Sequence, residues 1–435
     1  MEAQKIMERK SFFKSLAGVG LSTVGLSTLS SFSSYDFNSG NFEKFPEHLK
    51  GDSLDWDKVR QDFPRQKNEI YMDNASTHPT NIYSAWAVHR ITEWTKDDVG
   101  VPWWPAWAKS RDEGKRLFAE LINADPSEIA HARSTVTAES NMLNGMDLKG
   151  GNVVMTDLHY TESIYGYKYR EKHDSLELRM IKCKDWRFSV HDFEPFVNKK
   201  TKLIAITLVS NVNGFIARDV KAISDLAHAN GAILYVDFIQ GVGAVPIDVK
   251  AMGIDVAACS TFKWLMGGGK GFGFMYVRKD LQGTVIKPTL ASGGVSFNYA
   301  PWTDNPDPTK PDIIWHEVTG PNMYEVSYPN YEGVIASHQS LKYILDLGVD
   351  NIQRHNRELT DRLLKEMPRI GYPTITPPDN NSPIIVFQAK DPKETMRKLK
   401  SAGINVAMRF GNKMRVSPSV YNNISDIDRF LEVLS

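Results

Sequence analysis

The chain of 435 residues is 41% hydrophobic and 24% charged. These proportions exclude a disordered or fibrous protein and leave room for about two or three domains with a cleft between them. Its 52 basic and 52 acidic residues balance, so no overall field draws it to nucleic acid or to an acidic membrane. The two cysteines, Cys183 and Cys259, offer neither a disulfide framework nor the spacing of a metal site and read as free thiols.

Residues 1–34 differ from the rest. Glu8-Arg-Lys-Ser-Phe-Phe-Lys14 is basic, and the uncharged run from Ser15 to Ser34 contains nine Ser or Thr, too polar for a membrane-spanning helix or a stable anchor. A basic stretch before a mildly apolar, small-residue one predicts an export signal. Arg9-Lys10-x-Phe12-Phe13-Lys14 resembles the twin-arginine type with Lys for the second Arg, which would send the protein to the periplasm or beyond. A basic tail on a cytoplasmic protein is the alternative. After an N-terminal segment over 35–80, short apolar runs alternate with amphipathic stretches. Lys202 to Val209, Ala232 to Asp237, Ile254 to Cys259 and Gly273 to Val277 read as strands, and Val220 to Ala229 has helical spacing. This predicts an α/β domain over 81–325 with a mainly parallel, seven-stranded type of sheet, whose ligand site lies at the carboxyl ends of the strands. Long amphipathic helices (Gly333 to Leu347, Val349 to Glu366), a β run at Pro383 to Phe387 and a closing helix at Ile424 to Leu434 predict a smaller α+β domain over 326–435.

Two residues follow such strands. Asp237 ends Tyr235-Val-Asp237, where a buried carboxylate needs a cationic partner, unless it only caps a turn. Lys263, in Ser260-Thr-Phe-Lys-Trp264, falls just past an apolar strand, where desolvation lowers an amine's pKa and makes it nucleophilic; a lysine snorkelling to the surface is the other reading. Together, Asp237-x-x-Gln240 and Ser260-x-x-Lys263 resemble the cofactor core of the class V aminotransferase family, pyridoxal phosphate (PLP) enzymes of fold type I that include cysteine desulfurases, isopenicillin N epimerase and kynureninase. Other segments resemble that family in the same order: Tyr71-Met-Asp-Asn-Ala-Ser-Thr-His-Pro79, Thr135-Val-Thr-Ala-Glu-Ser-Asn141, Ser210-Asn-Val-Asn-Gly214 and Met414-Arg-Val-Ser-Pro-Ser-Val-Tyr-Asn422.

The resemblance implies a role for each match. Lys263 would hold PLP as a Schiff base and shuttle protons, and Asp237 would pair with the pyridine nitrogen. Gln240 and Asn211 would bond the ring's phenolic oxygen, Tyr160 would stack on the ring, and neighbouring His159 is a weaker candidate. Thr135, Val136, Thr137 and Ser260 would form the phosphate cup at a helix N-terminus. Arg415 would clamp a substrate carboxylate, with Asn74 also on the substrate side. A homodimer with active sites at the subunit interface follows by the same resemblance.

Departures are equally informative. Phe262 stands where many members have His, and Ser327 and Tyr328 replace the Gly and Thr of a segment that reaches the partner subunit's phosphate. No cysteine occurs between Ile404 and Arg415, where desulfurases carry the persulfide-forming thiol, which disfavours that chemistry. Gly267 to Gly273 lacks the spacing of a nucleotide loop and is expected to be a tight strand-to-strand turn. Val101-Pro-Trp-Trp-Pro-Ala-Trp107 either lines an apolar pocket or packs an interface. The expectation is a PLP enzyme acting on an amino acid or similar amine, of aminotransferase or epimerase type. A side-chain lyase without a catalytic Cys is the alternative, and a non-catalytic binding protein of the same fold the third reading.

Overall fold

The computed structural model describes residues 45–51, 54–97, 103–289, 293–297, 313–325, 327 and 329–435. The export segment, Tyr328 and the side chains of Trp103 and Trp104 lie outside the described residues.

The chain enters through a short strand β1 (Ile70–Tyr71) and two helices, α1 (Ile82–Asp97) and α2 (Trp103–Leu121). Next come β2 (Ile129–Ala132), α3 (Thr135–Gly145), β3 (Asn152–Thr156), α4 (Thr161–His173), β4 (Glu177–Ile181), β5 (Thr201–Thr207), α5 (Val220–Ala229), β6 (Ile233–Asp237), β7 (Val256–Ser260) and β8 (Gly273–Val277). Strands β2 to β8 form one seven-stranded sheet in the order β2-β8-β7-β6-β5-β3-β4, in which only β8 is reversed. Every residue of β3, β6, β7 and β8 is buried. Unalternating runs such as Ile233-Leu-Tyr-Val are what a sheet covered on both faces requires. Helix α5 meets the sheet with Val220, Ile223 and Ala227, a single stripe at helical spacing.

Beyond the sheet, β9 (Gly293–Phe297) and β10 (Ile313–Glu317) pair as an antiparallel ribbon. Helix α6 (Tyr331–Leu347), capped by the Asn330 side chain, packs on α1 and α2. Trp107 is fully buried there, its ring 5.1 Å from that of Tyr331. Then follow α7 (Val349–Glu366), β11 (Ile385–Gln388), α8 (Pro392–Ser401), β12 (Ile404–Asn405), β13 (Ala407–Arg409), β14 (Lys413–Val416) and α9 (Ile424–Leu434). Strands β11-β14-β13 form a small antiparallel sheet over a core that includes Leu359, Leu363, Phe387, Met414 and Phe430. Helices α5, α7 and α9 span the residues that the hydrophobic spacing predicts.

Two features position the site. Strands β3 to β7 are mutually parallel, so their carboxyl ends all lie along one edge of the sheet. And β1 pairs in parallel with β12, while a separate parallel bridge joins Asp73 to Ser417 just past β14, which brings the segment after β1 beside the end of β14. The Gly-rich run after Lys263 does join two antiparallel neighbours, β7 and β8. The connection, residues 261–272, is longer than a tight turn because it also carries Lys263 and the buried Trp264. Among the described residues, no helix is long and apolar enough to cross a membrane.

Candidate active site

A cavity of about 180 Å³ opens at the carboxyl ends of β5, β6 and β7. Asp237 and Gln240 line it after β6, Ser260 and Lys263 after β7, and Thr207 and Asn211 after β5. Ser134, Thr135 and Val136 at the start of α3, Tyr160 before α4, Glu162 within it and Ile239 add to the wall, with Phe262 beside Lys263. Residues predicted from separate segments therefore converge on one space.

Asp237 is 2% exposed. Its Oδ1 accepts the Ile239 N–H at 3.1 Å, and it forms no ion pair with any described residue. Burial pushes its carboxyl up to about 6, against the pull of His159, the Ile239 N–H and Lys263. Lys263 is shifted the opposite way, from 10.5 to about 8: burial lowers it most, the charges of Arg415 and Arg409 lower it further, and Asp237 and Asp73 only partly restore it. A desolvated amine that is substantially neutral near pH 8 is a competent nucleophile and base.

Helix α3 presents its N-terminus to the same cavity. Ser134 caps it, accepting the Thr137 N–H at 3.1 Å, while Thr135 N–H donates to Ser260 Oγ at 3.0 Å and the two hydroxyls lie 3.2 Å apart. The Val136 N–H has no protein partner among the described residues. Thr137 lines a neighbouring cavity with Arg133 and Asn141 instead, because successive helical residues turn by about 100°. An open helix start with two hydroxyls, a buried lone carboxylate and a depressed lysine are the fittings that a phosphorylated pyridine aldehyde requires.

The segment over 71–79 braces this arrangement. Gln240 Nε2 donates to Ala75 O at 3.0 Å and its Oε1 accepts the Trp264 indole N–H at 2.9 Å, while His78 N–H donates to Phe262 O at 2.9 Å. Asn74 is fully buried, its amide engaged by Ser417 O at 2.8 Å and Tyr421 OH at 2.7 Å. The structure therefore sets it in the packing under the site, not in the cavity wall. Arg415, 3% exposed, donates to Asp73 Oδ1 at 3.1 Å, Ser76 Oγ at 2.6 Å and the carbonyl of cavity-lining Asn211 at 3.3 Å. Its Nε is buried without a partner. Arg409, which the sequence reading passed over, reaches the same Ser76 Oγ at 2.9 Å. Its only sequence signal is its place in the segment before Arg415.

Strands β13 and β14 are joined by residues 410–412 alone, with Phe410 and Gly411 at positive φ and Phe410 61% exposed. The turn carries no cysteine. Burial pushes Cys183 up to about 12, and Cys259, fully buried within β7, is likewise raised. Neither has the lowered pKa of a reactive thiolate.

Fold and site together define a fold-type-I PLP-dependent enzyme. Residues 107–430 match the family described as Aminotransferase class-V, and the chain belongs to that family. It is 28% identical over 406 residues to a probable cysteine desulfurase of Methanothermobacter thermautotrophicus, covering 86% of this chain and 96% of the relative. The apo structure of a cysteine desulfurase from Thermococcus onnurineus superposes with a TM-score of 0.75 at 24% identity, over 86% of this chain and 96% of that one. A cystine C–S lyase in complex with its product cysteine persulfide does so with a TM-score of 0.74 at 16% identity, over 86% and 98%. The two structures share the fold.

Proposed function

We propose that this enzyme acts on a small amino acid through Lys263, in an aminotransferase or epimerase type of reaction. The observation that carries the reading is the pairing of a depressed lysine and a buried carboxylate without an ion-pair partner among the described residues across one cavity, with two arginines converging at its side. Lys263 would hold the cofactor covalently, Asp237 its ring nitrogen, Asn211 and Gln240 its polar ring substituent, and Tyr160 its face. Thr135, Val136 and Ser260 would take the phosphate at the start of α3. When bound, PLP supplies an electron sink for the bonds at the substrate's amine-bearing carbon.

The chain's own groups do the rest. Arg415, held by Asp73 and Ser76, offers its unpartnered Nε to a substrate carboxylate, and Arg409 adds a second positive charge on the same side. Lys263 Nζ, once displaced from the cofactor by the substrate amine and with its pKa lowered to about 8, would take a proton from the substrate carbon and hold it for return. Reprotonation of the same carbon from the opposite face, by an acid on that side, would give epimerisation, and delivery of the proton to a different carbon would give amino-group transfer. The Phe262 ring, its centre 5.8 Å from Lys263 Nζ, would help to keep water from that exchange.

A side-chain lyase is the second reading, favoured by relatives named for cleaving cysteine together with the inert state of Cys183 and Cys259. It would eliminate sulfur without a thiol of its own. The proposal extends to a homodimer and to export through the signal over 1–34. Light scattering tests the first, and sequencing of the mature N-terminus, expected after about Ser31, tests the second. The deciding experiment mixes the PLP-loaded enzyme with a panel of amino acids in deuterated water and follows the spectrum and the products by mass. Deuterium at the α-carbon or a keto acid that keeps the side chain supports the main reading, sulfide or another lost side chain supports the lyase, and no response to any amine sinks both. A Cys183→Ala, Cys259→Ala double variant should give unchanged products; loss of turnover with the fold intact would restore a thiol mechanism.

A further inference from the structure

Next to the cavity lies a second polar group, none of which faces it. Glu139 and His159 are 2% and 1% exposed, and His159 Nε2 lies 2.9 Å from Glu139 Oε1. Tyr167 donates its hydroxyl to the same oxygen at 2.6 Å. Glu139 stands one turn on from Thr135 on the same face of α3, so it follows directly from the phosphate cup into the core. His159 precedes cavity-lining Tyr160. From β6 comes Tyr235, its ring 6.3 Å from that of His159, and Asp237 is the next residue on the same face of that strand. His159 Nδ1 is fully buried and has no partner among the described residues.

Burying Glu139 this deeply requires a cation, and the imidazole supplies it. Burial alone would raise Glu139 and lower His159, yet their mutual attraction reverses both, holding the carboxyl below its ordinary value and the imidazole above. The groups facing them are Glu139 from α3, His159 from the β3–α4 connection, Tyr167 from α4, Tyr235 and Asp237 from β6 and, across the cavity, Lys263. Among these, His159 is the charge that most favours an ionised Asp237, while Glu139 opposes it.

We propose that His159, clamped on Glu139 and Tyr167, is a positioning residue that stands as an imidazolium behind Asp237 and keeps that carboxylate charged for the cofactor's ring nitrogen. The inference rests on the PLP reading of the site, but its test needs no cofactor. Nitrogen-15 spectra of the cofactor-free protein should show His159 protonated on both nitrogens at pH 7; a neutral ring at that pH overturns the proposal, even if no variant folds. In carbon-13 titrations, with the Asp237 signal assigned from Asp237→Asn, His159→Gln should move the Asp237 midpoint upward by roughly one pH unit or more. An unmoved midpoint in a folded variant means a packing role only and also overturns it. In the PLP-loaded protein, the same variant should shift the pH dependence of the cofactor's absorbance. Because the first two readouts involve neither PLP nor turnover, the inference can fail while the cofactor assignment stands, and the reverse.

Discussion

Lys263→Met in the cofactor-free protein tests the electrostatics on which the site depends. The ammonium's pKa falls from 10.5 to about 8 on folding, and at about 1.36 kcal/mol per unit this sets a ceiling of about 3 kcal/mol on the cost of keeping it charged there. The residue keeps partial access to cavity water, so about 1–3 kcal/mol is expected in practice. A base with a depressed folded-state pKa binds fewer protons folded than unfolded between pH 8 and 10.5. Stability therefore rises through that window, and the cost is full below it. Methionine fills similar space without charge, so the variant should be more stable by that amount at pH 7, with the gain fading as the pH approaches 10.5. Urea unfolding of both proteins across this range, with equal slopes confirming equal exposure on unfolding, provides the assay. A gain independent of pH would come from apolar packing, and a loss at pH 7 would mean the lysine is favourably solvated or paired; either refutes the argument. The reactivity follows the same sign. At pH 8 about half of these amines are neutral, against about 0.3% of ordinary lysines, so PLP adducts trapped by borohydride on this residue should titrate near pH 8 and not near 10.5.

Other expectations follow from neighbouring geometry. Asp237 is shifted from 3.8 to about 6 by burial, so its cost appears as pH rises through that interval. Asp237→Asn should stabilise the cofactor-free protein above pH 6 by up to about 3 kcal/mol while abolishing the bound-cofactor spectrum, with calorimetry and absorbance as the readouts. Gly214 has φ +78°, and an added Cβ would lie 1.9 Å from Ile384 O; Gly214→Ala should cost about 3 kcal/mol or more and loosen Asn211, seen as a lower Tm and weaker PLP binding. Burial would raise Glu325, but His131 and Lys115, the latter at 2.6 Å, hold it at about 2. That pairing contributes above pH 4.5 and is lost as pH falls toward 2, so Lys115→Met should cost about 1–3 kcal/mol at pH 7 and little near pH 2 in thermal melts.

Much of this site was legible because its chemistry constrains residue type at strand ends. A carboxylate after Tyr235-Val and a lysine after an apolar run are unfavourable unless they serve something, and doubly buried strands announce themselves as unbroken apolar runs. Side-chain direction was less legible. Thr137 and Thr135 read alike in the sequence, yet the helical turn sends one to each of two cavities, and Asn74 belongs to a motif whose framework is buried beneath the site. Least legible were pairs made by distant segments. Arg409 and Ser76 meet only because a two-residue strand pairs β1 with β12, too short to leave a periodic signal. Glu139 and His159 come from a helix and a connection with a strand between them, so nothing local links them.

These hidden contacts carry the charge balance of the site. Asp73 is engaged by Arg415, and Asp237 is too deep to reach the rim. Arg409 forms no ion pair among the described residues and shares with Arg415 a single neutral hydroxyl as acceptor. Arg415 is already paired with Asp73, and the Glu162 carboxylate lines the cavity wall, so of the two guanidiniums the one without an ion pair among the described residues is that of Arg409, and a carboxylate matches its fork better than any uncharged group. An amine lacking a carboxylate would leave that charge unanswered near Lys263, whose pKa it already helps to lower. That charge supports the proposed preference for amino acids over simple amines, whichever bond at the α-carbon is broken.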